Sequence, residues 1–432
     1  MSFEEKKKIL DDGRLILSVE TKSFKGADIF GRSDSYLLAD RVFDRTYIHW
    51  PNKMTTSPPG PTTTGYDIIN HKPFSGINFA TQDYMSLCYN PGSIQAAIEA
   101  LKRYGSHSGG SPLFFGKNPY YIECVNSLKR AFSRIYPDPH ASIFSAGWMA
   151  GFGVVSSLTT KNDHIIIDEL CHNCLKFGAR NSFAKIHNIE HLNNDAMCDK
   201  IVEIRKQHPN SGIVVVTEGL FSMDSDCGDI DRIQKVCKEN KAIFVIDCAH
   251  DMFCLGSKGL GNPGEKIKDF SNVVLLGSGS KSLSNNFGWC VSNKDALPVF
   301  MGYFAGSFTF SNALAPAVAA NVTYNIDLLM SKEGDERRKR SYENVTYIRK
   351  RLTDAGFEVI GDPSPVVIVI IGSELKSRAI ANMMYDEGII VNSVEFPACA
   401  PGDSRLRLQV QCDHKTQHLE AFVDNPVGII PK

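Results

Sequence analysis

Residues 242–250 read Ala-Ile-Phe-Val-Ile-Asp-Cys-Ala-His, a short apolar run that ends in an acid and, three residues later, a histidine. The β-branched and aromatic residues of Ala242–Ile246 are typical of a strand buried on both faces. Helical patterns such as Asp231–Glu239 lie between several runs of the same kind. These other runs are Ser142–Phe144, His164–Ile167, Gly212–Thr217 and Asn272–Leu276. Strands that alternate with helices in this way predict an α/β fold with a mostly parallel sheet flanked by helices.

Small, polar and titratable residues follow these strands directly. The segments are Ser145–Trp148, Asp168–His172, Glu218–Ser222, Asp247–His250 and Gly277–Lys281. In open parallel sheets, ligands bind beyond the carboxyl ends of the strands. We therefore expect a functional site where these segments meet.

The chain is longer than one hydrophobic core usually supports, so we expect several structural units. We predict an N-terminal segment over residues 1–91, a large domain over 92–300 and a smaller α+β C-terminal domain over 301–432. The N-terminal segment combines an amphipathic start, Phe3–Leu17, with a stretch from Pro51 to Pro61 that predicts an extended loop or arm.

Composition narrows the possible partners. The 47 basic and 48 acidic residues nearly cancel, so no overall field attracts nucleic acid or an anionic membrane. No apolar run approaches the ~20 residues of a transmembrane helix, and the N-terminus lacks the apolar core of a signal peptide. The 12 cysteines are scattered, which favours reduced thiols in a cytoplasmic protein. Cys171, His172 and Cys174 lie close together, but no second half of a metal site follows, so no metal is expected.

The residues that follow the predicted strands together supply the groups that a pyridoxal phosphate site requires. Such a site needs a lysine for the resting imine, a carboxylate at the pyridine nitrogen, a flat stacking group and phosphate ligands at a helix start. Lys281, Asp247 and His250 offer the amine, the acid and an imidazole, each at a strand end. On its own Lys281 is more simply a surface charge and His250 a structural histidine. Their joint order and spacing favour the cofactor site.

Further motifs resemble the α-oxoamine synthases, which are fold-type-I pyridoxal phosphate-dependent transferases, from about Asn78 to Cys412. Thr217–Asp224 is close to the family's T-E-G-x-F-S-M-D-G segment, and Val245–His250 matches V-D-x-A-H. Asp168–His172 matches D-E-x-x-H. Phe310–Pro316 resembles the F-S-N-S-L-A-P of aminoketobutyrate ligases, and Arg405-Leu406-Arg407 stands where the family has R-x-R.

The resemblance implies a role for each matching residue. Lys281 would be the Schiff-base lysine and would transfer the proton at the amino acid's α-carbon. Asp247 would pair with the pyridine nitrogen, His172 would stack on the ring, and His250 would hydrogen-bond near the ring hydroxyl or the substrate carbonyl. The remaining implied roles are cofactor contact for Ser222, phosphate binding for Gly147, Trp148 and Ser278, contact with a neighbouring subunit's phosphate for Ser311, and substrate binding for Arg407 and Gln82.

Several positions depart from the family pattern. Ser86 and Phe253 stand where the family has glycine, and Leu260 replaces an arginine. The glycine-rich stretch Gly109–Pro112 lacks its following arginine, and Ser282–Gly288 replaces a glycine-rich turn. These differences fall in loops that would face the substrate, so the substrate stays open.

The resemblance implies condensation of serine, glycine or alanine with an acyl thioester, carried by CoA or a carrier protein, to give an α-amino ketone with loss of carbon dioxide. Serine palmitoyltransferases have the most similar segments, at Asp168–Leu170, Gly178–Arg180 and Ser280–Ser282, which implies a homodimer with shared active sites and a role in sphingolipid biosynthesis. The alternatives are a 2-amino-3-ketobutyrate CoA ligase, an aminolevulinate or 8-amino-7-oxononanoate synthase, a carrier-protein-dependent synthase, and an aminotransferase or lyase. An inactive partner subunit is a further alternative, against which Lys281 and Asp247 argue.

Overall fold

The computed structural model describes residues 53–68 and 71–425, together with residues 28, 30 and 31. Contacts within the chain define two compact units. The larger unit comprises residues 82–222 and 226–340, and the second contains the described residues up to 81, residues 223–225 and the chain from 341 onward. The predicted segment Phe3–Leu17 lies outside the described residues, and the domain boundaries after residues 91 and 300 stay predictions.

The described secondary structure begins with short strands and then alternates. The strands are β1 (Lys53–Thr55), β2 (Thr62–Asp67), β3 (Pro73–Asn78), β4 (His140–Phe144), β5 (His164–Asp168), β6 (Lys185–Ile189), β7 (Ile213–Glu218), β8 (Ile243–Asp247), β9 (Val273–Ser278), β10 (Gly288–Ser292), β11 (Val359–Ile360), β12 (Val366–Gly372), β13 (Ile389–Ile390), β14 (Asn392–Val394) and β15 (Ser404–Gln409). The helices are α1 (Pro91–Tyr104), α2 (Pro119–Phe132), α3 (Gly147–Ser157), α4 (Asn173–Asn181), α5 (Asn194–Gln207), α6 (Ile230–Glu239), α7 (Gly261–Lys266), α8 (Ala296–Phe304), α9 (Gly306–Thr309), α10 (Pro316–Leu329), α11 (Lys332–Asp354), α12 (Glu374–Asp386) and α13 (Thr416–Asp424).

The larger unit is built on a seven-stranded sheet in the order β4-β10-β9-β8-β7-β5-β6. Strand β10 runs antiparallel to both of its neighbours, and the pairs from β9 to β6 are parallel. Residues such as Ile167, Val216 and Val245 are fully buried, because both faces of a parallel sheet are covered. The predicted α/β fold with a mostly parallel sheet is confirmed.

The acidic residues predicted to follow the strands are their last residues. Asp168 ends β5, Glu218 ends β7 and Asp247 ends β8. The parallel register places Glu218 beside Asp247 and Asp247 beside Leu276 of β9. Strand pairing therefore continues through Glu218 and Asp247 and holds both acids at the same edge of the sheet.

The second unit contains two four-stranded sheets, β1-β2-β3-β13 and β11-β12-β15-β14. Part of the predicted loop from Pro51 to Pro61 was wrong, because Lys53–Thr55 pairs with β2 as a strand. The smaller α+β domain predicted for the C-terminal part is confirmed by the sheet β11-β12-β15-β14, with α12 and α13 packed in its core, whereas three strands of the other sheet come from residues 53–78.

The two faces of β15 differ in polarity. Leu406 and Leu408 belong to the apolar core of the second unit, as does Val410 just after the strand. The alternating positions hold polar side chains that are also buried: Arg405, Arg407, Gln409 and Gln411. Because side chains alternate along a strand, these residues share the face opposite the core.

Candidate active site

An open cavity of about 350 Å³ lies in the larger unit at the ends of β7, β8 and β9. The lining residues are Gly147, Trp148, His172, Cys174, Glu218, Asp247, Ala249, His250, Gly277, Ser278 and Lys281. The structure thus brings seven of the predicted site residues into one cavity: Gly147, Trp148, His172, Asp247, His250, Ser278 and Lys281.

Two buried carboxyl groups lie side by side in the cavity. Asp247 is 6% exposed and Glu218 is 3% exposed. Burial raises the pKa of Asp247 to about 6, against the lowering effect of the Lys281 ammonium and of the Ala249 N–H, which donates to Oδ1 at 3.0 Å. Burial also raises the pKa of Glu218, and the charge of Asp247 raises it further. At neutral pH the negative charge therefore belongs to Asp247, next to the lysine.

His172 is held by groups on three sides. Its Nδ1 accepts from the backbone N–H of Cys174 at 3.3 Å and lies 3.0 Å from the Cys174 thiol. Its own backbone N–H donates to Glu218 Oε1 at 2.5 Å. The Trp148 indole meets the imidazole edge to face, with ring centroids 5.8 Å apart. The ring orientation is therefore set by the strand end and by the first turn of α4.

His250 is positioned by a residue that the sequence did not identify. Its Nδ1 lies 2.9 Å from the hydroxyl of Tyr84, and both side chains are buried. Tyr84 stands two residues after Gln82, but only the fold brings it to a histidine 166 residues later. Tyr84 therefore supports the site from outside the cavity lining.

The start of α3 approaches β9 closely. A Cβ atom at Gly147 would lie 2.4 Å from the Ser278 Cβ, so only glycine allows this contact. No side chain caps α3, whereas the Asn118 side chain caps α2. Backbone N–H groups in the first turn of such a helix favour an anion. This arrangement fits the phosphate-binding role predicted for Gly147, Trp148 and Ser278.

The other four predicted site residues do not line this cavity. Ser222 follows β7 and is partly buried, and Gln82 is partly buried at the start of the larger unit. Ser311 lines a separate apolar groove with Trp148 and Phe310. Arg407 belongs to the second unit, where it is buried on β15 opposite Ile368 of β12 and Asn392 of β14. Their assigned roles stay predictions.

His191 supports the D-E-x-x-H segment and was not predicted. Its Nδ1 lies 3.0 Å from Asp168 and its Nε2 lies 3.3 Å from Asp226. Burial lowers the pKa of His191, but the two carboxylates outweigh it and carry the pKa to about 10. The Asp168 carboxylate also accepts the backbone N–H of Leu170 and of Leu192. These bonds fix the strand end from which His172 projects.

Three further observations bear on chemistry and setting. All 12 cysteines lie in the described residues, and each is a free thiol. Within residues 53–68 and 71–425, no group of three histidine, cysteine or acidic side chains is arranged to hold a metal ion. None of the described helices combines the length and apolar character needed to span a bilayer.

Comparison with known proteins adds the following matches. The model of the family "Aminotransferase class I and II" matches residues 75–425. A putative 8-amino-7-oxononanoate synthase of Desulforudis audaxviator is 32% identical over 346 residues, which cover 80% of this chain and 87% of the relative. A serine palmitoyltransferase of Sphingobacterium spiritivorum is 27% identical over 353 residues, covering 82% and 86%. The solved serine palmitoyltransferase of Sphingomonas wittichii matches with a TM-score of 0.83 at 25% identity, covering 94% of this chain and 100% of that one.

Proposed function

We propose that this chain, which belongs to the α-oxoamine synthases of the aminotransferase class I and II family, joins serine to a long-chain acyl thioester with loss of carbon dioxide. It has the fold-type-I architecture and is a pyridoxal phosphate-dependent acyltransferase. The choice of serine and a long acyl chain is supported by the serine palmitoyltransferase relative and by the motifs around Asp168 and Lys281. The observation that carries the proposal is the cavity in which Lys281, Asp247, His172 and His250 meet.

The cavity residues fit pyridoxal phosphate. Lys281 offers the amine and Asp247 a carboxylate in the cavity lining, while the uncapped start of α3 at Gly147, packed against Ser278, would present backbone N–H groups to a phosphate. When bound, the cofactor supplies an electron sink that stabilises negative charge at the substrate's α-carbon. His172 and Trp148 offer flat groups that would shield its ring from water.

The chain's own groups would then handle the protons. Asp247, with a pKa of about 6, is mostly ionised at neutral pH and would hold a proton on the cofactor's ring nitrogen. Lys281 would remove and return the proton at the α-carbon of the amino acid. Arg407 stays the proposed ligand of the substrate carboxylate, which fixes the bond that breaks.

A second candidate is condensation of alanine with a shorter acyl thioester. It is favoured by the 32% identical relative, whose name is putative 8-amino-7-oxononanoate synthase. Both candidates would use the same catalytic groups. The loops that would face the substrate, which include Phe253, Leu260 and Ser282–Gly288, depart from the family pattern and do not favour either candidate.

The purified protein should be tested with glycine, alanine and serine against short and long acyl-CoA, with thiol release as the readout. We expect turnover with serine and a long acyl-CoA, and none in Lys281→Ala. Turnover with alanine and a short acyl donor would favour the second candidate. Formation of the amine form of the cofactor from an amino acid alone, without thiol release, would contradict both and indicate an aminotransferase.

We also propose a homodimer that forms through an exposed aromatic surface of the larger unit. We define the aromatic surface as Phe114, Phe115, Tyr303, Phe304 and Phe310, each more than half exposed. The Ala313 N–H donates to Gly110 O at 2.9 Å and the Ser111 hydroxyl to Thr309 O at 2.6 Å, so the loop around Phe115 and the loop around Phe310 lie beside each other. A patch of this kind favours a protein partner. Ser311, next to Phe310, would then reach the neighbouring subunit's phosphate.

The free thiols favour a reducing compartment, and we propose a cytoplasmic location on that ground.

A further inference from the structure

A cysteine inside the cavity contacts the predicted ring-stacking histidine. Cys174 is 2% exposed and lies in the first turn of α4. Its Sγ is 3.0 Å from His172 Nδ1, well within the distance of a hydrogen bond to sulfur. Its backbone N–H points at the same nitrogen, at 3.3 Å.

The two contacts fix where the ring proton lies. A backbone N–H can only donate, so His172 Nδ1 must be the acceptor and carries no proton. Burial raises the pKa of the Cys174 thiol, so the thiol keeps its proton and can donate to the same nitrogen. A neutral imidazole whose Nδ1 accepts carries its single proton on Nε2.

The neighbouring helix holds the thiol in place. A Cβ atom added at Gly151 of α3 would lie 2.4 Å from Cys174 Sγ. The sulfur therefore fills the space that a larger residue at position 151 would occupy. This close fit between α3 and α4 keeps the thiol directed at His172.

We propose that Cys174 is a positioning residue, whose thiol donates to His172 Nδ1 beside the backbone N–H and so strengthens the Nε2–H tautomer and fixes the ring's orientation at the cofactor cavity. Its importance for catalysis rests on the proposed function, in which His172 lies against the cofactor. The tautomer itself is a property of this chain and can be measured without turnover.

The first test is nitrogen NMR of the protein with ¹⁵N-labelled histidine, with the cofactor present and removed. We expect the His172 signals of the Nε2–H tautomer in the unsubstituted protein and in Cys174→Ser, which keeps a donor. In Cys174→Ala the Nδ1 signal should move towards that of a weakly bonded nitrogen. Unchanged His172 signals in Cys174→Ala would show that the thiol only fills space and would overturn the proposal.

The second test separates turnover from binding. One lost hydrogen bond corresponds to a fall in kcat of about threefold to tenfold in Cys174→Ala, with KM for the acyl donor unchanged. Cys174→Ser should retain most of the activity. An equal loss in the serine and alanine variants, or a loss confined to KM, would contradict a positioning role.

Gly151→Ala provides an independent way to displace the thiol while keeping Cys174. We expect this variant to show the same change of the Nδ1 signal as Cys174→Ala, together with a lower melting temperature. Adding Cys174→Ala to it should restore the melting temperature but not kcat, because the clash is removed and the donor is absent. Native His172 signals in Gly151→Ala would overturn the proposal.

Absence of turnover with every acyl donor would instead contradict the proposed function and leave the NMR result standing.

Discussion

Three residues in the segments that depart from the predicted family pattern adopt backbone conformations that favour glycine. Ser86, Phe253 and Ser284 have φ values of 53°, 70° and 53°. A side chain in this region costs roughly 1–2 kcal/mol, so neighbouring contacts must hold each residue there. Phe253 buries its ring against Phe132 and Trp289. The Ser284 hydroxyl donates to the Asp83 carboxylate. The sequence shows the replacements, but these compensating contacts come from distant parts of the chain.

Asp251 is a buried acid whose charge should weaken the fold. Burial raises its pKa to about 7 from the usual 3.8, and the charge of Asp247 adds to the rise. The folded state therefore binds a proton more tightly than the unfolded chain, and stability is lost as the pH rises from about 4 to about 7. We expect Asp251→Asn to melt at a higher temperature than the unsubstituted protein at pH 8, with the difference shrinking towards pH 4.

The matched control is Asp269, whose pKa the Lys238 side chain and the Ser271 N–H lower to about 2. Here the carboxylate stabilises the fold above about pH 4, so Asp269→Asn should melt at a lower temperature at pH 8. Shifts of the same sign in both variants would contradict this account of Asp251.

At the scale of elements, the sequence predicted strands best where an apolar run is continuous. The apolar runs of β5, β7, β8 and β9 were predicted as strands. Each observed strand ends later than its apolar run, because strand pairing continues to a final aspartate, glutamate or serine. Strands β6 and β10 were not predicted. The sequence of β10, Gly-Trp-Cys-Val-Ser, begins and ends with poor strand formers, yet it is completely buried between β4 and β9. Its structure depends on pairing with distant strands, which local sequence does not encode.

Helix α6 ends in a conformation that is unfavourable for its residue. Lys241 follows the helix with a φ of 51°, and its N–H donates to Lys238 O at 3.2 Å. Glycine is the preferred residue at such a helix end. Lys241→Gly should therefore raise the free energy of unfolding by about 0.5–1 kcal/mol, measured by urea denaturation. Lys241→Ala, which keeps a Cβ, should give no such gain, and an equal gain in both would show that the lysine charge is responsible.

The loops after β5, β6 and β7 are joined by His191 through Asp168 and Asp226. The folded-state pKa of His191, about 10, lies above its usual 6.5, so the stabilisation is complete below about pH 6.5 and is lost as the pH rises to 10. We expect the unsubstituted protein to lose stability between pH 6.5 and 10, and His191→Gln to lose less over that range. Parallel curves of unfolding free energy against pH for the two proteins would contradict this role.

At the scale of the whole molecule, the aromatic surface should control assembly. Phe115 and Phe310 are 93% and 91% exposed. A charge placed at either position would have to be buried on association, which is unfavourable. We expect Phe310→Asp and Phe115→Asp to convert a dimer into a monomer in sedimentation velocity experiments, whereas Tyr342→Asp, an exposed residue outside this surface, should remain dimeric. A monomeric unsubstituted protein would contradict the proposed dimer.

Seven of the predicted site residues line one cavity, but the contacts between them could not be predicted from the sequence. The strand ends and motifs predicted Lys281, Asp247 and His172 as site residues, because these groups carry recognisable chemistry at fixed spacings. Glu218 and Cys174 lie in or beside the polar segments that follow β7 and β5, but their contacts arise from burial and from the packing of these segments together. The relation between the cavity and residues such as Arg407 depends on tertiary structure, which motifs do not specify.

The alternation along β15 has a consequence for engineering this enzyme. Leu406, Leu408 and Val410 cannot be exchanged without opening voids in the core of the second unit, whereas the intervening polar positions can change without altering core volume. Substitutions at Leu406, Leu408 and Val410 should therefore lower the melting temperature through lost packing, whereas substitutions at Arg407, Gln409 and Gln411 act on the buried polar face of the strand. The two-residue repeat of a single strand thus separates the positions that fill the core from those whose polar groups are buried on the opposite face.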